Sequence, residues 1–219
     1  MPCRSPIRQY HSKSGSGWSF NAAKPHDDYR DLNCGVCLEC RIRKTREWSI
    51  RCYHEAQLHS DNSWVTLTYG DNPITLRRRD VTLFFKNLRN AGYRFRYFGA
   101  GEYGSQTLRP HYHICLFGLR FADQYPWRVH KGITYYRSPA LEKAWPHGNA
   151  EVGAFAPETA RYVAGYTYKK INGRAADEAD DKTGLRPYDR LLPSGEIFEV
   201  CKEMLFVSRR PGIAAEWIA

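Results

Sequence analysis

The run Arg109-Pro110-His111-Tyr112-His113-Ile114-Cys115-Leu116-Phe117-Gly118 is largely apolar, carries aromatic and β-branched side chains and closes on glycine, the composition of a strand. Side chains alternate faces along a strand, so His111 and His113 point to one side and Tyr112 to the other. Two imidazoles on one face of a rigid strand can hold one metal ion. An ordinary strand with two surface histidines has the same sequence, so the pair gains meaning only from its company.

Outward from this strand, Phe95 to about Ala100 reads as a second strand and Trp64-Val65-Thr66-Leu67-Thr68-Tyr69 as a third, the latter ended by Gly70-Asp71-Asn72-Pro73. Gly101-Glu102-Tyr103-Gly104 lies at the end of the second strand. If that strand and the histidine strand are antiparallel neighbours, Glu102 comes close to His111 and His113. One carboxylate and two imidazoles make a three-ligand site with open positions; an exposed glutamate in a turn is the plainer alternative.

Helices are marked by spacing. Leu38, Ile42, Thr45, Ser49, Cys52 and Ala56 form a stripe from Leu38 to about Gln57, with Arg41, Arg43, Lys44, Arg46 and Arg51 on faces suited to solvent or to phosphate. Val81, Phe84, Phe85 and Leu88 repeat before a stop at Gly92. Ser138-Pro139 opens a short helix through Trp145, with proline at the first helical position. Pro157 opens another, to about Ile171, stopped by Asn172-Gly173. On this helix Tyr162 and Tyr166 are four apart and share a face, Lys169 and Lys170 follow, and Ala160, Val163, Ala164, Thr167 and Ile171 form the core side. An amphipathic helix with two half-buried tyrosines reads the same way. Residues 1–33 read as irregular, and 174–195 as a polar loop with Asp177, Glu178, Asp180 and Asp181 in solvent. The mixture points to an α+β domain with a central, mainly antiparallel sheet flanked by helices.

The 219 residues suffice for one sizeable domain, and 33 Lys plus Arg against 23 Asp plus Glu leave a formal charge of +10, which favours a polyanionic partner such as nucleic acid. No apolar run is long enough to span a bilayer and the N-terminus lacks a signal-peptide core, so a cytosolic protein without a membrane partner is expected. Cysteines in that compartment are thiols or metal ligands rather than disulfides. Cys34-x-x-Cys37-x-x-Cys40 with Cys3 can form a four-sulfur structural Zn2+ site, tying an N-terminal arm to the first helix; an iron–sulfur cluster and free thiols are the alternatives. Cys52, Cys115 and Cys201 are expected in the core.

Together, the His111-Tyr112-His113 strand and the Tyr162/Tyr166 helix resemble the two-tyrosine HUH endonucleases. The likeness is closer still to the replication initiators of small circular single-stranded DNA phages of the microvirus type, particularly the gokushovirus branch. It is carried by Cys34-Gly35-Val36-Cys37-Leu38-Glu39-Cys40-Arg41, Val65-Thr66-Leu67-Thr68-Tyr69, Gly101-Glu102-Tyr103-Gly104, Arg109-Pro110-His111-Tyr112-His113, Tyr162-Val163-Ala164-Gly165-Tyr166 with Lys169-Lys170, and Ser208-Arg209-Arg210-Pro211-Gly212-Ile213, in family order over most of the chain.

The resemblance implies an HUH/ferredoxin-like sheet, with residues 1–40 as the arm carrying the cysteine cluster and 41–219 as the nuclease domain. It implies a nickase and ligase acting at a single-stranded DNA origin to initiate rolling-circle replication. In that reading Glu102, His111 and His113 hold Mg2+ or Mn2+, and Tyr162 or Tyr166 attacks phosphorus to leave a 5′-phosphotyrosine and a 3′ hydroxyl. Lys169 or Lys170 stabilises charge, and Arg109 lines the path of the single strand. A host helicase and polymerase would be its partners and the host cytoplasm its place of action. Gly165 and Thr167-Tyr168 stand where family members often carry a basic residue and apolar ones, which implies a less stable tyrosine helix. Members usually continue past Pro211-Gly212-Ile213, so the resemblance also implies a C-terminal region absent from this chain. The rival readings are a non-catalytic, zinc-stabilised nucleic-acid-binding protein, which would need neither tyrosine nor Glu102, and an HUH relaxase or transposase.

Overall fold

A computed structural model describes residues 2–12, 17–21, 26–169 and 174–217. The chain divides into two compact units, Met1–Lys44 and Thr45–Ala219.

In the first unit, strands β1 (Ile7–Ser12), β2 (Trp18–Ser19) and β3 (His26–Leu32) form an antiparallel sheet in the order β2-β1-β3. This corrects the expectation of an irregular segment over residues 1–33. The strands escape detection because β3 reads His-Asp-Asp-Tyr-Arg-Asp-Leu, with no alternation of apolar and polar residues. Cross-strand pairs hold the ribbon instead. Arg8 faces Asp31 in register and donates to it from Nε and Nη2 at 2.8 and 3.0 Å. Arg30 faces Gln9 and also lies over the Trp18 ring at 4.2 Å.

Helix α1 (Leu38–Gln57) begins in the first unit and continues into the second. Its expected stripe is only partly buried: Cys52 and Ala56 are, whereas Leu38 and Ile42 are exposed. Near the middle of the helix the partly buried Trp48 stacks its ring on Phe98 at 4.9 Å.

The second unit continues with β4 (Asn62–Thr68), α2 (Arg78–Asn90), β5 (Arg96–Tyr103), β6 (Pro110–Phe117), β7 (Tyr125–His130), β8 (Ile133–Arg137), α3 (Pro139–Ala144), β9 (Ala150–Ala154), α4 (Pro157–Lys169), α5 (Arg174–Asp177), β10 (Asp189–Leu191), β11 (Ile197–Glu199) and β12 (Met204–Val207). Strands β10 and β11 pair with each other; the rest build a seven-stranded sheet in the order β12-β5-β6-β4-β9-β8-β7, antiparallel at every pairing. The fold is the expected α+β class, and the three strands legible in the sequence, β4, β5 and β6, are its centre. The outlying strands lack the apolar signature. All six residues of β7 are exposed, and its pairing with β8 is broken by an irregularity between Pro126 and Arg128.

Alternation sorts the central side chains into two layers. Val65, Leu67, Tyr112, Ile114 and Leu116 share a core with Val81, Phe84, Phe85 and Leu88 of α2 and Leu141 of α3. Trp64, Phe98, Ala100, Cys115 and Phe117 share a second core with Ala160, Val163 and Ala164 of α4 and Cys52 and Ala56 of α1. Each large apolar side chain so buried contributes about 1.5–3 kcal/mol. By the same alternation Glu102, His111 and His113 belong to the second face, on the side of α4.

Local signals fix the helices. Gly92, at φ 91°, turns the chain after α2 so that the Tyr93 N–H donates to the Leu88 carbonyl at 3.1 Å. Ser138 Oγ accepts from the Leu141 N–H at 3.1 Å and caps α3. The Thr159 hydroxyl accepts from the Ala156 N–H at 2.9 Å and donates to its carbonyl at 2.7 Å, closing the first turn of α4. Cys201 is exposed, not in the core as expected. Its N–H donates to Thr75 Oγ1 and its carbonyl accepts from the Tyr103 hydroxyl, so the backbone is pinned while the thiol faces out. The acidic residues Asp177, Glu178, Asp180 and Asp181 are exposed, as expected, although Asp177 ends the short helix α5 rather than lying in a loop.

Candidate active site

Strands β5 and β6 pair so that Glu102 is the direct partner of His111 and Ala100 of His113. One Glu102 oxygen, Oε1, then lies 2.8 Å from His111 Nε2 and 3.7 Å from His113 Nε2. Glu102 and His113 are buried and His111 is partly so. Second bonds orient both rings. His111 Nδ1 lies 3.0 Å from the Arg109 carbonyl oxygen, which can only accept, so this nitrogen carries a hydrogen. His113 Nδ1 lies 3.0 Å from Thr66 Oγ1, its partner on β4. The ligand atoms of Glu102, His111 and His113 all lie within 4.8 Å of one another, and the three could hold one metal ion.

Tyr112, between the histidines, anchors the strand from the opposite face. It is fully buried, its hydroxyl accepts from the Arg77 N–H at 2.8 Å and lies 2.9 Å from the Tyr69 hydroxyl, and burial pushes its pKa up to about 12.

Helix α4 brings both tyrosines to His113. The Tyr166 ring lies nearly parallel to the imidazole, with centroids 5.4 Å apart; Tyr162 meets it edge-on at 5.2 Å, and the tyrosines meet each other at 5.1 Å. They share a face but not an environment: Tyr162 is 50% exposed and Tyr166 only 3%. Burial raises the Tyr166 phenol well above its ordinary value, and hydrogen bonds with Glu102 and Tyr162 add to the shift. Trp64 closes the group, stacked on His113 at 5.5 Å and edge-on to Tyr162 at 6.1 Å. Its ring fits because its partner on β9 is Gly153, where a Cβ would stand 2.7 Å from the indole. Trp64 and Thr66 were not singled out from the sequence; their part depends on β4 lying beside β6, which no spacing within either strand reveals.

Arg109 is exposed, but its guanidinium also braces the loop after β4, donating to the Tyr69 carbonyl at 2.8 Å and to Asn72 Oδ1 at 3.1 Å. The side chain of Lys169, and Lys170 altogether, lie outside the described residues. In the first unit Cys3, Cys34, Cys37 and Cys40 converge, all four sulfurs within 4.8 Å of one another, a second group that could hold a metal ion.

The family model for Replication-associated protein ORF2/G2P matches residues 62–171, a span that contains Glu102, both histidines and both tyrosines. The chain is 38% identical to Replication-associated protein VP4 of Bdellovibrio phage phiMH2K over 151 residues, 63% of this chain and 48% of that protein. It is 29% identical to Replication-associated protein ORF2 of Spiroplasma virus 4 over 197 residues, 78% of this chain and 62% of that one. It is 30% identical to Replication-associated protein ORF4 of Chlamydia phage 1 over 155 residues, 64% and 38% respectively. The chain thus spans less than two thirds of the length of each. No solved structure matches it.

Proposed function

The chain belongs to the replication-associated protein ORF2/G2P family, and on that premise we propose that it is a metal-dependent nickase of single-stranded DNA that initiates rolling-circle replication of a small phage genome through a phosphotyrosine link. The observation that carries this reading is the meeting of Glu102, His111 and His113 within 4.8 Å beside two tyrosines. Two imidazoles and one carboxylate suit Mn2+ better than Mg2+, which prefers oxygen ligands.

A divalent ion on these ligands, when bound, polarises a phosphoryl oxygen. The chain's own residues supply the rest. Tyr162 makes the first attack, because its side chain is half exposed while Tyr166 is buried against Glu102. Its Oη bonds to phosphorus, the bond to the 3′ oxygen breaks, that oxygen takes a proton to become a 3′ hydroxyl, and the phenol proton passes to water. The aryl phosphodiester keeps the bond energy needed for rejoining. Tyr166 serves a second cleavage while Tyr162 still holds DNA. Lys169 or Lys170 offsets charge on the phenolate or phosphate. Arg109, with two of its five N–H groups on Tyr69 and Asn72, offers the remainder to the strand's phosphates.

On this reading the 3′ hydroxyl primes a host polymerase, a host helicase separates the strands, and the setting is the host cytoplasm. Among the described residues no helix is long and apolar enough to cross a membrane.

The test is incubation of labelled single-stranded origin DNA with the protein and Mn2+. A covalent adduct is expected from the wild type and none from Tyr162→Phe/Tyr166→Phe. An adduct that persists in that variant, or in His111→Ala/His113→Ala, refutes the assignment.

A further inference from the structure

The four converging cysteines play no part in the DNA chemistry proposed above. Cys3 precedes β1, Cys34 and Cys37 lie ahead of α1, and Cys40 is in its first turn. Cys3 Sγ is 3.4 Å from Cys34 Sγ and 3.8 Å from Cys37 Sγ, and Cys34 Sγ is 4.0 Å from Cys40 Sγ. No two of the chain's cysteines are joined in a disulfide, a bond that requires sulfurs about 2.05 Å apart. A tetrahedral zinc ion with Zn–S near 2.3 Å sets its sulfurs about 3.8 Å from one another. The three observed separations straddle that value.

The surroundings suit thiolates. The Cys34 N–H points at Cys3 Sγ at 3.4 Å, the Cys37 N–H at Cys34 Sγ at 3.3 Å, and Arg43 Nη2 stands 3.6 Å from Cys40 Sγ. Donors and a guanidinium aimed at sulfur offset negative charge, which neutral thiols do not carry. Gly35, at φ 76° with open space around its missing Cβ, lets the backbone fold back between Cys34 and Cys37.

We propose that Cys3, Cys34, Cys37 and Cys40 bind one zinc ion as a closed, four-thiolate structural site. Four sulfurs within 4.8 Å of one another close around a single ion and leave no room for a multi-iron cluster. The site has no open position for substrate, so its work is structural. The unit it serves needs it: the ribbon of β1, β2 and β3 is mostly exposed, and at this size a metal or disulfide usually replaces the missing core. Zinc on these ligands joins the segment ahead of β1 to the start of α1 and so closes the ribbon on itself.

The full chain, purified under reductant without added metal and dialysed, is expected to carry about one zinc per chain. The zinc should be lost in Cys34→Ser/Cys37→Ser and kept in Glu102→Ala/His111→Ala/His113→Ala. Because the cysteine variant can misfold, cobalt exchanged into the wild type gives an independent reading. It should show thiolate-to-cobalt charge-transfer absorption with the visible bands of a tetrahedral sulfur site. A folded chain without zinc, iron in its place, zinc that survives the cysteine substitutions or leaves with the Glu102 triple variant, or a cobalt spectrum without sulfur bands would each overturn the proposal. The metal count is read without DNA, so a failure of the nickase reading leaves it untouched.

Discussion

Glu102 and His111 face each other on one rung of β5 and β6, with Oε1 and Nε2 2.8 Å apart. The other ring nitrogen, Nδ1, lies 3.0 Å from the Arg109 carbonyl oxygen, a contact that orients the ring with Nε2 toward the carboxylate. Glu102→Gln keeps the shape and removes the charge. Mn2+ binding, followed by calorimetry, is expected to weaken about 10- to 100-fold or more, the range seen even for groups that only support a metal ligand. Unchanged binding would place the ion elsewhere.

The two tyrosines should separate by burial. Tyr162→Phe is expected to abolish the adduct on an oligonucleotide with one cleavage site, whereas Tyr166→Phe retains most of it. A denaturing gel and peptide mapping of the labelled adduct decide between them. The reverse result would mean that α4 moves before chemistry to expose Tyr166.

The buried Glu55 carboxylate is an anchor far from the DNA chemistry. It pairs with Arg96, lies 3.1 Å from His59 Nε2, and accepts from the Ala214 N–H at 2.7 Å. Arg96 in turn donates to the Gly212 carbonyl at 2.6 Å. Glu55→Ala leaves the Arg96 guanidinium without its carboxylate partner and the buried Ala214 N–H without its acceptor, and is expected to cost about 3 kcal/mol in urea unfolding.

Gly101 has no room for a side chain. A Cβ there would stand 2.8 Å from the Tyr112 ring, which its hydroxyl bonds hold in place, and 3.1 Å from Leu76. Gly101→Ala is expected to cost about 1–3 kcal/mol through overpacking, seen as a lower melting temperature.

Asp189 accepts from Arg186 Nε and Nη2 at 3.0 and 2.9 Å, which holds its carboxyl below the usual range. A depressed folded value means stability that is present above the unfolded pKa of about 3.9 and lost as pH falls through the folded one. The gap in melting temperature between wild type and Asp189→Asn should therefore narrow as the pH falls below the unfolded value of about 3.9.

What could be read from the sequence follows burial. Val81, Phe84, Phe85 and Leu88 announce α2 because one face of that helix is wholly apolar, and β4, β5 and β6 show themselves because they are covered on both sides. The nearness of Glu102 to His111 was legible only on the condition that β5 and β6 are antiparallel neighbours, which they are. Thr66 and Trp64 were hidden, since their nearness to His113 arises from a neighbour 47 residues away in the case of Thr66. The unequal burial of Tyr162 and Tyr166 was hidden too: helical spacing gives a shared face but not its depth against the sheet. Strands β1 and β3 were invisible because charge pairs rather than apolar contacts hold them.

The seven-stranded sheet stops at β7, an exposed strand with a row of backbone groups turned outward. Such a rim is a template on which another chain can lay a strand, the first step toward aggregation. Here Pro126 withholds one donor, the irregularity beside it throws the rung spacing out of step, and Arg128 sets a charge on the same segment. These features blunt the edge against pairing with another chain, and replacing Pro126 would remove one of them.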